Sequence, residues 1–213
     1  MIEPMPAVLE ESPPPSPCLH SAARGQFRIA PRNSHPFEAL KARVRQGFGS
    51  HFNACISGFM PDLAAYHHAS GATGVIGIRG ANLERLFLES YLDLPVETVV
   101  QLTSGDCADR GEIVEVGQFV VDDRDIVADF FRDLVPFLRS QGFEWVCFTG
   151  TNRIRALLAR IGFAGVPVTL ATETRLLDKK SRWGSYYEHE PVVIVGKLSD
   201  PRGDWIRQTE SRA

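Results

Sequence analysis

The sequence predicts an α/β (α+β) fold: a single domain on one mixed central β-sheet with helices on both faces. Three observations predict it. Between residues 112 and 163 the hydrophobic period switches from strand to helix to strand to helix, with Gly142 and Gly162 closing the two helices. The segment Trp145–Thr149 is short and apolar throughout, the pattern of a strand covered on both faces. The chain has 213 residues, 44% apolar and 23% charged, which suits one globular domain with tails.

The elements follow in order. Eight of the 14 prolines fall within residues 1–36, together with Ser12, Ser16 and Ser21. Such a segment buries too little apolar surface to offset its ordering entropy, so residues 1–35 read as a disordered tail. The domain, which the pattern lets begin at Phe27 or Pro36, is set at 36–198, and the polar end 199–213 reads as frayed. Phe37, Leu40, Val44, Phe48 and Phe52 recur at helical spacing. Leu63–His68 and Thr73–Arg79 read as strands around the turn 69–72. Residues 83–103 are ambiguous: Leu86, Leu88, Tyr91 and Leu92 are compatible with a helix, Pro95 breaks the run, and Pro95 suits the start of another helix through Leu102. A strand over Glu112–Val121 precedes Asp122, Asp123 and Asp125, carboxylates placed at a helix start. That helix puts Val127, Phe130, Phe131, Leu134 and Leu138 on one face, with Pro136 as an anomaly that kinks it. Thr151 or Asn152 caps the next helix, with Ile154, Leu157, Leu158 and Ile161 inward. Strands over Val166–Thr172 and Val192–Leu198 complete the sheet.

Several function classes are excluded. A formal net charge of −3 argues against a nucleic-acid binder. No apolar run approaches the ~20 residues of a membrane span, and no basic start precedes a long apolar stretch, so a reducing cytoplasm is the expected location. Cys18, Cys55, Cys107 and Cys147 are widely spaced and indicate neither a zinc cluster nor a disulfide framework. His67 and His68 are neighbours on a strand and point to opposite faces, so they cannot chelate one metal. Nothing matches a nucleophile elbow or a phosphate-binding loop with its lysine.

Five segments carry a resemblance to the bacterial thermostable hemolysin family: Gly77-Ile78-Arg79, Leu86–Leu92, Ile113–Gly117, Glu144–Thr149 and Trp183–Tyr187. They stand in the family's order across residues 60–198. A wider resemblance is to the N-acetyltransferase (GNAT) superfamily, particularly its acyl-homoserine-lactone synthase branch. Asn152, Ala156, Gly162 and Phe163 resemble the late helix of an acetyltransferase. Glu115-Val-Gly-Gln118-Phe119-Val-Val121 resembles the Glu-x-x-Arg-Phe-x-Val strand that positions the amine and acyl carbonyl, with Gln118 in place of the arginine. Leu158 stands where acetyltransferases commonly place a tyrosine. The resemblance implies transfer of a fatty acyl group from acyl carrier protein or acyl-CoA to a small amine, such as an amino acid, with no permanent cofactor and no metal. The turn Asp122-Asp123-Arg124-Asp125 lacks the glycines of a coenzyme A site, and its carboxylates repel a diphosphate, which favours a carrier-protein donor. A membrane-active haemolysin and an inactive binding module are the competing classes.

The candidate site residues each have two readings. Glu115, alone among valines on a strand, is either a general base, or a residue of an exposed strand face or half of a structural salt bridge. Arg79 at a strand end either clamps an acceptor carboxylate or sits on the surface. Glu89 either faces the same cleft or lies on the polar side of a short helix. Thr149 and Thr151, just past a buried strand, either bind the acyl carbonyl or cap the next helix. Trp183, Tyr186 and Tyr187 either wall an acyl pocket or anchor their loop. Cys147 reads as a small hydrophobe.

Overall fold

The computed structural model describes residues 24–163, 165–176 and 181–198. In chain order they form β1 (Gly25–Ile29), α1 (His35–Phe52), β2 (Asp62–His68), β3 (Thr73–Gly80), α2 (Val96–Ser104), β4 (Ile113–Val121), α3 (Val127–Ser140), β5 (Trp145–Gly150), α4 (Asn152–Arg160), β6 (Val166–Leu170) and β7 (Val192–Lys197). The seven strands make one sheet in the order β1-β2-β3-β4-β5-β7-β6. Every neighbouring pair is antiparallel except β4 and β5. The expected mixed sheet is therefore present.

The two faces follow from strand parity. Val114, Val116, Val146 and Phe148 meet Phe130, Leu134 and Leu138 of α3. The alternate residues Ile113, Trp145, Val193 and Val195 meet Val96, Val99 and Val100 of α2. Val75 meets Val44 and Phe48 of α1. So α1 and α2 cover one face and α3 and α4 the other.

The structure corrects three local expectations. The fold begins before residue 36: β1 pairs with β2 from Gly25↔His68 to Ile29↔Ala64. Phe27 supplies the reason, since its ring packs against Tyr66, Phe130 and Phe137 at 4.7–5.0 Å. The expected tails 1–23 and 199–213 lie outside the described residues. None of the three aspartates caps α3, which opens at Val127 after Ile126 without a side-chain capping bond. Asp122 instead pairs with Arg43 (2.5 Å) and accepts from Thr73 (2.6 Å), while Asp123 accepts the Asp125 amide (2.9 Å). Thr151 occupies the N-cap position of α4 but makes no side-chain capping bond. Pro136 lies inside α3, and the helix continues past it to Ser140.

Among the described residues no helix is long and apolar enough to cross a membrane. Phe27→Ala should remove the aromatic contacts that hold β1. We expect a loss of about 2–3 kcal/mol, or roughly 4–12 °C in Tm, measured by thermal unfolding.

Candidate active site

The pairing of β4 with β5 runs only from Ile113↔Trp145 to Glu115↔Cys147, although β4 continues to Val121 and β5 to Gly150. Beyond Glu115 the strands part. On its other side, β4 departs from regular register with β3 as well. Val75 opposes Val120 and Gly77 opposes Gly117, so β4 carries one extra residue there. Gln118 absorbs the bulge in the left-handed region, at φ +53°. A split and a bulge thus meet at the middle of one strand.

Glu115 sits at the point of the split and is 2% exposed. Register places Arg79, Glu115 and Cys147 side by side on the α1/α2 face. The Glu115 carboxylate accepts the amide of Phe87 on Oε2 (2.8 Å) and that of Leu88 on Oε1 (2.9 Å). Burial pushes its pKa up to about 7, against the Arg79 guanidinium and the two amides, which favour the charged form. The Cys147 thiol, also raised by burial, donates to the Val114 carbonyl at 3.3 Å and behaves as part of the core.

Glu89 does not reach this site. It faces a separate hollow with Arg110 and Glu97. Its carboxylate accepts the Leu86 and Val96 amides (2.8 and 3.0 Å) and a two-pronged bond from Arg110 (2.9 and 3.1 Å). Burial works to raise its pKa, but Arg110 and the two amides outweigh it and hold Glu89 below the usual carboxylate range. Glu115 pins the irregular segment 86–96 to the sheet, and Glu89 ties the two ends of that segment to each other and to Arg110.

The other candidates line a cleft of about 1340 Å³ around the split: Arg79, Gln118, Thr149, Thr151 and Trp183. That exceeds the ~300–1,000 Å³ of an ordinary small-molecule pocket. Arg79 is mostly buried, and its guanidinium is only loosely engaged, by Glu84 at 3.3 Å and the Arg85 carbonyl at 3.4 Å. Gln118 is committed to the scaffold: its Nε2 donates to Gly58 (2.8 Å) and its Oε1 accepts from Met60 (3.0 Å). The Met60 side chain lies over the Gly77–Gly117 pair, where any Cβ would collide with it. Thr149 offers its carbonyl to the Tyr186 hydroxyl (3.3 Å). The buried Thr151 hydroxyl remains uncommitted among the described residues. Trp183 packs with Phe48, Phe87, Tyr186 and Tyr187. Gly184, at φ +56°, lies where a Cβ would overlap the Phe52 carbonyl, so only glycine lets this aromatic loop close on the end of α1.

The cleft is lined from both faces of the sheet. On the α1/α2 face lie Glu115, Arg79, Tyr91 and Trp183; on the opposite face lie Val116, Phe131, Leu134, Leu157, Ile161 and Phe163, between α3 and α4. Several of these apolar side chains are only half-buried. The sequence reading assigned them to the core, because helical spacing marks an apolar face without saying whether it is filled. The Phe87 and Leu88 amides were missed as well; no side-chain pattern marks a backbone donor 27–28 residues upstream of its acceptor. Among the described residues no cluster of His, Cys, Asp or Glu could hold a metal ion.

The family model of thermostable hemolysins matches residues 30–201. No curated protein matches by sequence. Among solved structures, FeeM, an N-acyl amino acid synthase from uncultured soil microbes, superposes with a TM-score of 0.55 at 15% identity, over 88% of this chain and 97% of that one. The AHL synthase LasI gives 0.51 at 8% identity, over 83% and 91%. A CoA-dependent acyl-homoserine lactone synthase, BjaI, solved with SAM and isopentyl-CoA, gives 0.51 at 11%, over 88% and 90%. At these identities the likeness establishes the fold, which is GNAT-like.

Arg110→Ala should leave Glu89 without its cation. We expect a loss of about 2–3 kcal/mol, visible in denaturant unfolding. Because the folded pKa of Glu89 lies below its ordinary 4.5, its contribution is present above that value and lost as pH falls through the folded pKa. The substituted protein should therefore show a shallower loss of stability in acid than the parent.

Proposed function

The chain belongs to the thermostable hemolysin family, and we propose that it is an acyltransferase moving a fatty acyl group from a carrier-protein or CoA thioester to an amine. The observation that carries this reading is the cleft through the split in the sheet. It joins a chamber holding a buried carboxylate and an arginine to an apolar channel between two helices. A thioester threaded through the split has its carbonyl near Glu115 and its acyl tail among Phe131, Leu134, Leu157 and Ile161. The fold shared with acyl-transferring synthases supports the same reading.

In this reading the amine nitrogen attacks the thioester carbonyl, a C–N bond forms and the C–S bond breaks. Glu115 takes the proton from nitrogen, directly or through a water. A carboxylate with a pKa of about 7 is suited to this at neutral pH, because about half of it is ionised and able to accept a proton, and it is basic enough to hold one. The thiolate leaves with the bonding electrons. In this reading the Thr151 hydroxyl, buried at the cleft and free to donate, stabilises the oxyanion. Arg79, loosely held beside Glu115, receives the acceptor, and a carboxylate on that acceptor would take its fork. Trp183 walls the acceptor chamber. Gln118 serves the site through the bulge it stabilises.

Mass spectrometry of lipids from cells with and without the protein tests the function: an N-acylated amine should appear only with it, and its absence would remove the reading. On purified protein, kcat should rise with pH below about 7 and level off above it, as Glu115 ionises. Glu115→Gln should abolish that inflection and lower the rate by at least about 10²-fold. The glutamine NH₂ leaves either the Phe87 or the Leu88 amide without an acceptor, so a cost of about 1–3 kcal/mol in stability is also expected. A folded Glu115→Gln protein with full activity would exclude Glu115 as the base.

A further inference from the structure

The charge of this chain is unevenly placed. Its formal net charge is −3. Yet α3 and α4, neighbours on one face of the sheet, carry five arginines: Arg132, Arg139, Arg153, Arg155 and Arg160. α4 has no acidic residue. The two acidic residues of α3 are turned toward β1 and β2. Asp133 accepts the Gly25 amide (2.8 Å) and the Tyr66 hydroxyl (2.7 Å), and Asp129 meets Arg24 and His68, each at 3.4 Å. Arg132 reaches Asp129 at 3.4 Å but keeps 57% of its side chain exposed. Arg155 donates to the Glu190 carbonyl (3.3 Å). Arg139, Arg153 and Arg160 are exposed, and among the described residues no hydrogen bond or ion pair engages them. The lysine and arginines of α1, by contrast, are occupied: Lys41 with Glu38, Arg43 with Asp122, and Arg45 over the Phe59 ring.

The outer stripes of the two helices are alike. On α3 the exposed positions are Arg132, Pro136, Arg139 and Ser140; on α4 they are Asn152, Arg153, Ala156, Ala159 and Arg160. Each stripe thus sets short side chains between two arginines two helical turns apart, about 10 Å. The exposed carboxylates Asp123, Asp125 and Glu144 stand in the flanking turns and not on either stripe. Between the helices the surface changes character. Phe131, Ile154, Leu157 and Ile161 are only half-buried there and line the cleft. A flat cationic face with an apolar groove through it needs a partner that supplies anions and an apolar phase together. Anionic lipid headgroups over their acyl chains do so.

We propose that α3 and α4 form the surface by which this protein docks on an anionic lipid bilayer. The arginine forks engage lipid phosphates, and the groove between the helices lies toward the acyl region. The proposal rests on the acyltransferase reading for one point: the ligand of the groove is then a long acyl chain, and its N-acyl amine product is a lipid that partitions into a bilayer. An acidic protein offers the charge without the apolar phase beneath it, so the half-buried groove favours the bilayer.

Flotation of the full chain with vesicles of phosphatidylcholine, and of equimolar phosphatidylcholine and phosphatidylglycerol, reads this surface. The anionic vesicles should bind the protein at least about 10²-fold more tightly, since each arginine near such a surface contributes a factor of about five. The preference should shrink with added salt. R139A/R160A should lower it roughly 10–30-fold by the same factor, and R139K/R160K, which keeps the charge, should retain most of it. Arg45 lies on α1, and Arg28 follows Phe27, whose ring faces α3, so it points to the other side of β1. R28A/R45A therefore removes the same charge from the opposite face and should leave the preference nearly unchanged. No binding to either vesicle, equal binding to both, or an equal loss in R28A/R45A overturns the proposal. Binding of an acidic carrier protein through these arginines without vesicle binding assigns the face to a protein and overturns it too. Vesicle binding with no acylated amine in cells leaves the surface standing and removes acyl transfer; an acylated amine without vesicle binding does the reverse.

Discussion

A carboxylate buried where two parallel strands separate is the constraint on which this structure turns. Glu115 is the last residue of β4 paired with β5, and beyond it the sheet opens. A charge there has lost its water, and only two backbone amides and a neighbouring guanidinium replace it. Those amides belong to residues 87 and 88, so the irregular segment before α2 is held in place by the group whose burial it completes. The desolvation that makes the site costly to fold is also what moves its pKa toward neutrality.

Glu89 and Glu115 show how environment separates two similar groups. Both are buried glutamates, and both accept two backbone amides. Glu89 has in addition a bidentate bond from Arg110, which keeps it ionised below the usual range. Arg79 lies beside Glu115 but spends its loose bonds on Glu84 and the Arg85 carbonyl. One carboxylate is therefore saturated and structural, while the other is under-compensated and available to a proton. Divergence of this kind is the usual physical basis for assigning acid–base roles.

The opening in the sheet also changes the meaning of the helices behind it. α3 and α4 carry apolar faces that ordinary packing would fill. Phe130, Leu134 and Leu138 do pack against β4 and β5. Phe131, Leu157 and Ile161 instead remain half-buried along the cleft. Apolar side chains that neither bury fully nor lie scattered on the surface mark a place for an apolar ligand. Because the split connects this channel with the polar chamber, one extended ligand can occupy both.

The sequence by itself determined the class of the fold and most of its elements, because periods of 2.0 and 3.6 are local and survive without knowledge of partners. The helices at His35–Phe52, Val127–Ser140 and Asn152–Arg160 and the strand at Trp145–Gly150 were legible in that way. So was Glu115 as an anomaly, since a lone carboxylate among valines stands out on any strand. Only the tertiary structure decided what surrounds it. The amides of Phe87 and Leu88, the separation of Glu89 from the cleft and the capture of Asp122 by Arg43 join residues far apart in the chain, and β1 holds through aromatic contacts with β2 and α3. Side-chain identity constrains such pairings weakly, because backbone donors carry no sequence signature and a charge is satisfied by whichever partner the fold brings within about 3 Å.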